Sequence, residues 1–206
     1  MSAKSIALVF RNVGYHCRIG SSTLLGELAL AVMFYVGNRV FMHYLGDTGV
    51  GAYGIACYYM PFFFMVGNSI AQSAQPIISY NYGIDRWTRI VEARKVLLMT
   101  CLGYGVAVSL IFILFSKGLV GLFIPIECEP AIIAINGFPL LSIGILFFIL
   151  NVAIIGYYQS VERMGKATLY VFLRGFVFIV PCFLILPKLL GTVGIWLAMP
   201  ASELLT

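Results

Sequence analysis

Six apolar stretches, each about as long as a bilayer is thick, follow one another along this chain with only short polar connections between them. They run over about residues 22–44, 50–79, 96–115, 131–158, 167–186 and 191–206. A membrane-spanning helix needs roughly 20 predominantly apolar residues. No connection is long enough to hold a soluble domain. The chain therefore reads as a leader (residues 1–21) followed by one all-α integral membrane domain of six helices (residues 22–206). The sixth stretch is too short to cross about 30 Å of hydrocarbon at 1.5 Å per residue, so it reads as a truncated helix and the chain as a fragment.

Composition closes off the alternatives. The 206 residues are 61% hydrophobic and 10% charged. A soluble domain averages about 45–50% apolar and about 25% charged. A soluble enzyme, a disordered region and a nucleic-acid module are excluded, and the lipid bilayer becomes the expected solvent. The five cysteines include no close pair, which gives neither a disulfide framework nor a zinc pattern. His16 and His43 are isolated, and no nucleophile elbow, Walker A loop or H-E-x-x-H is present. The expectation is no enzyme and no metal or organic cofactor. Transport or a structural membrane role remains.

The leader holds Lys4, Arg11 and Arg18 around a short apolar run with no signal-peptidase pattern. Ile6, Val9, Phe10 and Val13 share one helical face, which reads as an interfacial helix or a frayed basic leader. Charge sets the orientation. Lys4, Arg11, Arg18, Arg86, Arg89, Arg94, Lys95, Arg163 and Lys166 alternate with the stretches on one side, against Lys117 and Lys188 on the other. The positive-inside rule puts the N-terminus in the cytoplasm of a multi-pass cell-membrane protein. The connections carry turn residues: Leu45–Gly49 reads as a tight turn, and Tyr80–Gly83 closes the second helix with Asn81 and Gly83 suited to positive φ.

Polar groups inside apolar helices are costly and usually face a cavity or a partner. Asn68, Gln72, Gln75 and Ser79 fall on one stripe, which reads as one wall of an aqueous cleft or as interhelical hydrogen bonding. Pro76 removes a backbone donor beside it. Glu27, Ala31, Tyr35 and Asn38 form another face. There Glu27 either binds a cation or shuttles a proton, or reaches water or Arg18 at the helix end. Asn151, Ile155 and Tyr158 share a face of the fourth helix, where packing is the alternative to a cleft role. Arg174 is expected to snorkel to the cytoplasmic interface. Tyr53, Tyr58, Tyr59 and Phe62-Phe63-Phe64 read as packing aromatics, with a cation–π pocket as the alternative. Glu203 sits in the incomplete last helix, which gives it no interpretation from sequence.

The run Gln72-Ser73-Ala74-Gln75-Pro76-Ile77-Ile78-Ser79-Tyr80-Asn81-Tyr82-Gly83 resembles the Q-x-x-Q-P-I-I-S-Y-N-Y-G signature of the multidrug and toxic compound extrusion (MATE) family. The basic loop after it, the turn after Leu45-Gly46-Asp47, and Leu173-Arg174, Pro181, Leu186-Pro187 and Gly191-Thr192-Val193-Gly194-Ile195-Trp196 are similar to further family patterns. The resemblance covers the chain from about Gly20. It implies the C-terminal lobe of a twelve-helix, two-lobe transporter with a drug cleft between the lobes. Such transporters export amphipathic organic cations and other drugs against Na⁺ or H⁺ by alternating access. One branch couples through an acid of the first lobe. Another uses carboxylates of the seventh and tenth helices, where this chain offers Glu27, about a turn earlier, and Asn151.

The candidate substrate-binding residues are therefore Asn68, Gln72, Gln75, Tyr35, Asn38 and Asn151, and the candidate ion-coupling residue is Glu27. The implied partners are an N-terminal lobe or a second copy. A lipid-linked-precursor flippase of the same superfamily, or a non-transporting remnant or structural subunit, is the alternative.

Overall fold

The computed structural model describes the backbone of residues 3–206, and side chains from Thr23 onward together with Val13, Gly14, Cys17, Gly20 and Ser21. The side chains of Lys4, Ile6, Val9, Phe10, Arg11 and Arg18, on which the interfacial-leader expectation rests, lie outside the described ones. The chain is helical throughout: α1 (Ala3–Gly83), α2 (Trp87–Leu114), α3 (Ser116–Gly121), α4 (Glu129–Ser160), α5 (Met164–Phe172), a π-helical turn (Leu173–Phe178) and α6 (Ile179–Leu205). No strand occurs among the described residues. The leader backbone enters α1 without a break.

Four helices are long and apolar enough to cross a membrane: Thr23–Gly83, Trp87–Leu114, Glu129–Ser160 and Met164–Leu205. Two of the four fold back on themselves. Gly46 has φ 63° and ψ −155° inside α1, and Gly191 has φ 60° and ψ −136° inside α6. Only glycine enters this backbone region readily, because any Cβ clashes there. The Tyr53 hydroxyl donates to the Met33 carbonyl at 3.0 Å. Twenty residues of straight helix would span about 30 Å, so the chain must reverse at Gly46. Arg174 and Glu203 likewise meet at 2.7 Å, where unbroken helix would hold them roughly 43 Å apart. The six apolar stretches of the sequence thus correspond to four such helices, two of them hairpins. In α1 the first arm is residues 3–45 and the second arm is residues 47–83.

The other tight connections differ from expectation. Gly83 stays helical, and the positive φ falls on Asp85 (φ 55°) and on Glu162 (φ 57°). At each, an amide reaches back five residues: Arg86 N–H to Asn81 O at 2.9 Å, and Arg163 N–H to Tyr158 O at 3.0 Å. This is the Schellman closure of a helix C-terminus with a non-glycine at the left-handed position.

The core is built on α4, which packs against α1, α2 and α6. Phe41, Tyr53, Tyr59, Phe63, Phe112, Phe138 and Trp196 form one aromatic cluster, with Phe112 stacked on Phe138 at 5.0 Å and Phe41 edge-on to Trp196 at 4.9 Å. Tyr59 and Phe63 of the aromatic run are thus packing residues, whereas Tyr58 and Phe62 face outward. Small residues bring backbones together: Gly137 lies under the Trp196 ring, Gly37 under Tyr53, and Gly156 against Ala71. Such contacts hold helices together where lipid removes the hydrophobic driving force. The outward face of α2 carries Val96, Met99, Val106, Leu110 and Ile113, as apolar as the buried face of Leu97, Cys101, Val108 and Phe112. A helix apolar all round suits hydrocarbon.

Candidate functional site

The polar stripe of the second arm faces inward across a gap. Asn68, Gln72, Gln75 and Ser79 line one side of a cleft of about 360 Å³. Helical spacing puts them in line along one face. The opposite side comes from Val152, Ile155, Gly156, Gln159 and Ser160 of α4, with Met164, Val171 and Arg174 from the next helix and Thr23 and Gly26 from the first arm. Gln75 donates to Gln159 Oε1 at 3.4 Å, across the gap between the second arm and α4. Phe64 lines the inner end of the stripe and is the one member of the aromatic run that reaches the cleft. The rim lies at the end of the bundle that carries the 84–86 and 161–163 connections. Pro76 leaves the Gln72 carbonyl without its helical donor, inside this wall.

Behind the cleft, three distant parts of the chain meet. Arg174 donates from Nε to Glu203 Oε1 at 2.7 Å. Asn151 donates from Nδ2 to Glu203 Oε2 and to the Glu203 carbonyl, both at 2.9 Å. The Arg174 guanidinium lies 4.1 Å over the Phe148 ring. Arg174 is 8% exposed and Glu203 3%. The expected snorkelling of Arg174 is thus overturned: its charge is neutralised inside the protein by a carboxylate of α6. Helical spacing explains its placement: Arg174 and Gly175 continue the buried row of Met164, Ala167 and Val171 at i, i+3, i+7, i+10 and i+11, and the π-turn begins at this point of the row. Gly175 then abuts Ala29 of the first arm. Pro181 follows, and withholds the donor that the Val177 carbonyl would otherwise take.

The remaining sequence candidates separate. Asn68, Gln72 and Gln75 are together in the cleft. Asn151 does not line it, and its amide is committed to Glu203. Glu27, Ala31, Tyr35 and Asn38 share one exposed face of the first arm, pointing away from the bundle. Arg39 is on that side too, 5.5 Å over the Tyr35 ring. Asn136 lines a separate cavity of about 200 Å³ with Leu45, Gly137 and Trp196. Sequence reasoning missed the Arg174–Glu203 pair. Its signal was one basic and one acidic residue in consecutive apolar stretches that a hairpin brings side by side.

The all-helical bundle and its apolar exterior define a membrane domain, with a polar-lined cleft at one end. The family comparison is specific: the MatE profile matches residues 23–184, and the chain belongs to the MatE family. Its fold is similar to that of an outward-facing MATE multidrug-resistance transporter of the MOP superfamily (TM-score 0.83, 17% identity, 91% of this chain and 42% of that one). It is also similar to the Vibrio cholerae MATE transporter VcmN (TM-score 0.85, 16% identity, 96% and 44%). A third is a MOP superfamily transporter from Pyrococcus furiosus, whose binding pocket is described as reversed in polarity (TM-score 0.82, 16% identity, 91% and 42%). The chain spans less than half the length of these structures. No curated protein sequence matches it.

Proposed function

We propose that this chain supplies the C-terminal, cleft-bearing lobe of a secondary active multidrug efflux transporter. The observation that carries this reading is the cleft itself, with Asn68, Gln72 and Gln75 on one wall, and Val152, Ile155, Met164 and Val171 interspersed with Gln159, Ser160, Glu162 and Arg174 on the other. Binding clefts combine apolar walls with a few convergent polar groups in this way. The transporter exchanges its cargo, amphipathic organic cations and related drugs, for Na⁺ or H⁺. Alternating access requires two bodies rocking about a shared site. The exposed face of Glu27, Tyr35 and Asn38 is the side offered to the second body, an N-terminal lobe or another copy. Glu27 there serves ion coupling. The nine basic residues on one side support a cytoplasmic N-terminus in the plasma or inner membrane.

The test is ethidium efflux from energised cells that express this chain with a matching N-terminal lobe. Efflux by the pair is expected, with loss on Gln72→Ala or Glu27→Gln. An inserted pair that exports nothing overturns the reading.

A further inference from the structure

The pairing of Arg174 leaves part of its guanidinium unused. Nε is taken by Glu203 Oε1, and Glu203 Oε2 is taken by Asn151. Among the described residues, neither Arg174 Nη group makes a hydrogen bond. Tyr104 Oη is the one fully buried side-chain polar atom without a partner among the described residues. The Nη groups therefore reach open space, and Arg174 lines the cleft. An arginine cannot shed its proton to escape this position. Phe148 beneath the guanidinium and Glu203 at its back fix the plane, so the remaining donors present a preset fork. A fork of two parallel N–H groups matches the two oxygens of a carboxylate, sulfonate or phosphate.

We propose that the Nη edge of Arg174 is an oxyanion site in the floor of the cleft, and that the cleft takes amphiphiles carrying an acidic group beside an apolar body. Phe64, Val152, Ile155, Met164 and Val171 hold the apolar body, and the Gln72 and Gln75 amides flank it. The proposal rests on the cleft reading above and narrows its cargo from simple cations to zwitterionic or acidic amphiphiles. Glu203 and Asn151 are positioning residues: they orient Arg174 and do not touch the ligand.

The test uses the purified chain in phosphatidylcholine nanodiscs and two fluorescent probes, a rhodamine with a free benzoate and its methyl ester. Fluorescence anisotropy is expected to give roughly tenfold or tighter binding of the free acid, the range of one charge-assisted hydrogen-bonded contact. Arg174→Gln alone strands Glu203, so the comparison variant is the double Arg174→Gln/Glu203→Gln, which removes both charges together. In it the ratio of the two affinities is expected to fall to about one. Equal affinities in the unaltered protein overturn the oxyanion site and leave the cleft standing. So does a preference that survives in the double variant. Binding of neither dye overturns the cleft reading and this inference with it. Nanodiscs containing phosphatidylglycerol identify the source. Arg174-dependent displacement of the acid dye assigns the site to a lipid headgroup phosphate, and undiminished binding assigns it to a solute.

Discussion

Glu203 holds Arg174 with one oxygen and Asn151 with the other, and the value of that arrangement depends on its being complete. Removing one member of a buried ion pair typically costs about 3–5 kcal/mol, because a charge is left without compensation. Replacing both by apolar side chains of similar size is often neutral or stabilising. Arg174→Met is therefore expected to lower the melting temperature of the purified protein sharply, and Arg174→Met/Glu203→Leu to restore most of it. Asp85 offers the opposite test. It occupies a left-handed position that favours glycine (φ 55°), so Asp85→Gly is expected to stabilise by about 0.5–1 kcal/mol, read as a higher melting temperature. Neither residue was legible in advance. Arg174 looked like an interfacial arginine because its partner is supplied by a different helix. The turn chemistry of Tyr80–Gly83 pointed to Asn81 or Gly83, yet Gly83 ends α1 as a helical residue and the positive φ falls two residues later, on Asp85.

The elements owe their arrangement to a few positions without side chains. Gly46 and Gly191 adopt nearly the same backbone, each between a leucine and a residue suited to start a helix, Asp47 and Thr192. Gly46→Ala or Gly191→Ala is expected to cost about 1–3 kcal/mol, measured by thermal unfolding in detergent, since a Cβ is strained there whatever the space. Gly156 has a different reason. A Cβ on it would lie 2.8 Å from the Ala71 Cβ. Gly156→Leu is expected to push the second arm off α4 and to weaken dye binding in the cleft, because both elements line it. These reversals were visible as turn residues between apolar runs. The close approaches were not, because a glycine within a helical run does not announce which neighbour needs the room. The π-turn had no sequence signal beyond Pro181, whereas the inward face of Arg174 follows from its helical spacing to Met164, Ala167 and Val171.

At the scale of the molecule, the bundle has a dry end and a polar end. The aromatic cluster around Phe112, Phe138 and Trp196 fills the first. The cleft opens at the second, beside the connections flanked by Arg86, Arg89, Arg163 and Lys166. With that end in the cytoplasm, Gln72→Cys in a chain whose five native cysteines are replaced by serine or alanine is expected to react with a membrane-impermeant maleimide in inside-out vesicles and to stay unlabelled in intact cells. Labelling from outside alone would reverse the orientation. The membrane class, the polar stripe and the family resemblance were all legible, because helical periodicity and the Gln-Pro-Ile-Ile-Ser-Tyr-Asn-Tyr-Gly run are local properties. The site floor was not local. It joins residues 151, 174 and 203, and only tertiary packing puts them together. That separation along the chain also orders events at the translocon. When the segment bearing Arg174 emerges from the ribosome, its carboxylate partner is still inside the exit tunnel and cannot reach it. An isolated helix with an arginine near its middle pays about 2.5–3.5 kcal/mol to enter the bilayer. The two strokes of the last hairpin are therefore best inserted as one unit, with the second helix drawing the first out of the channel and into lipid.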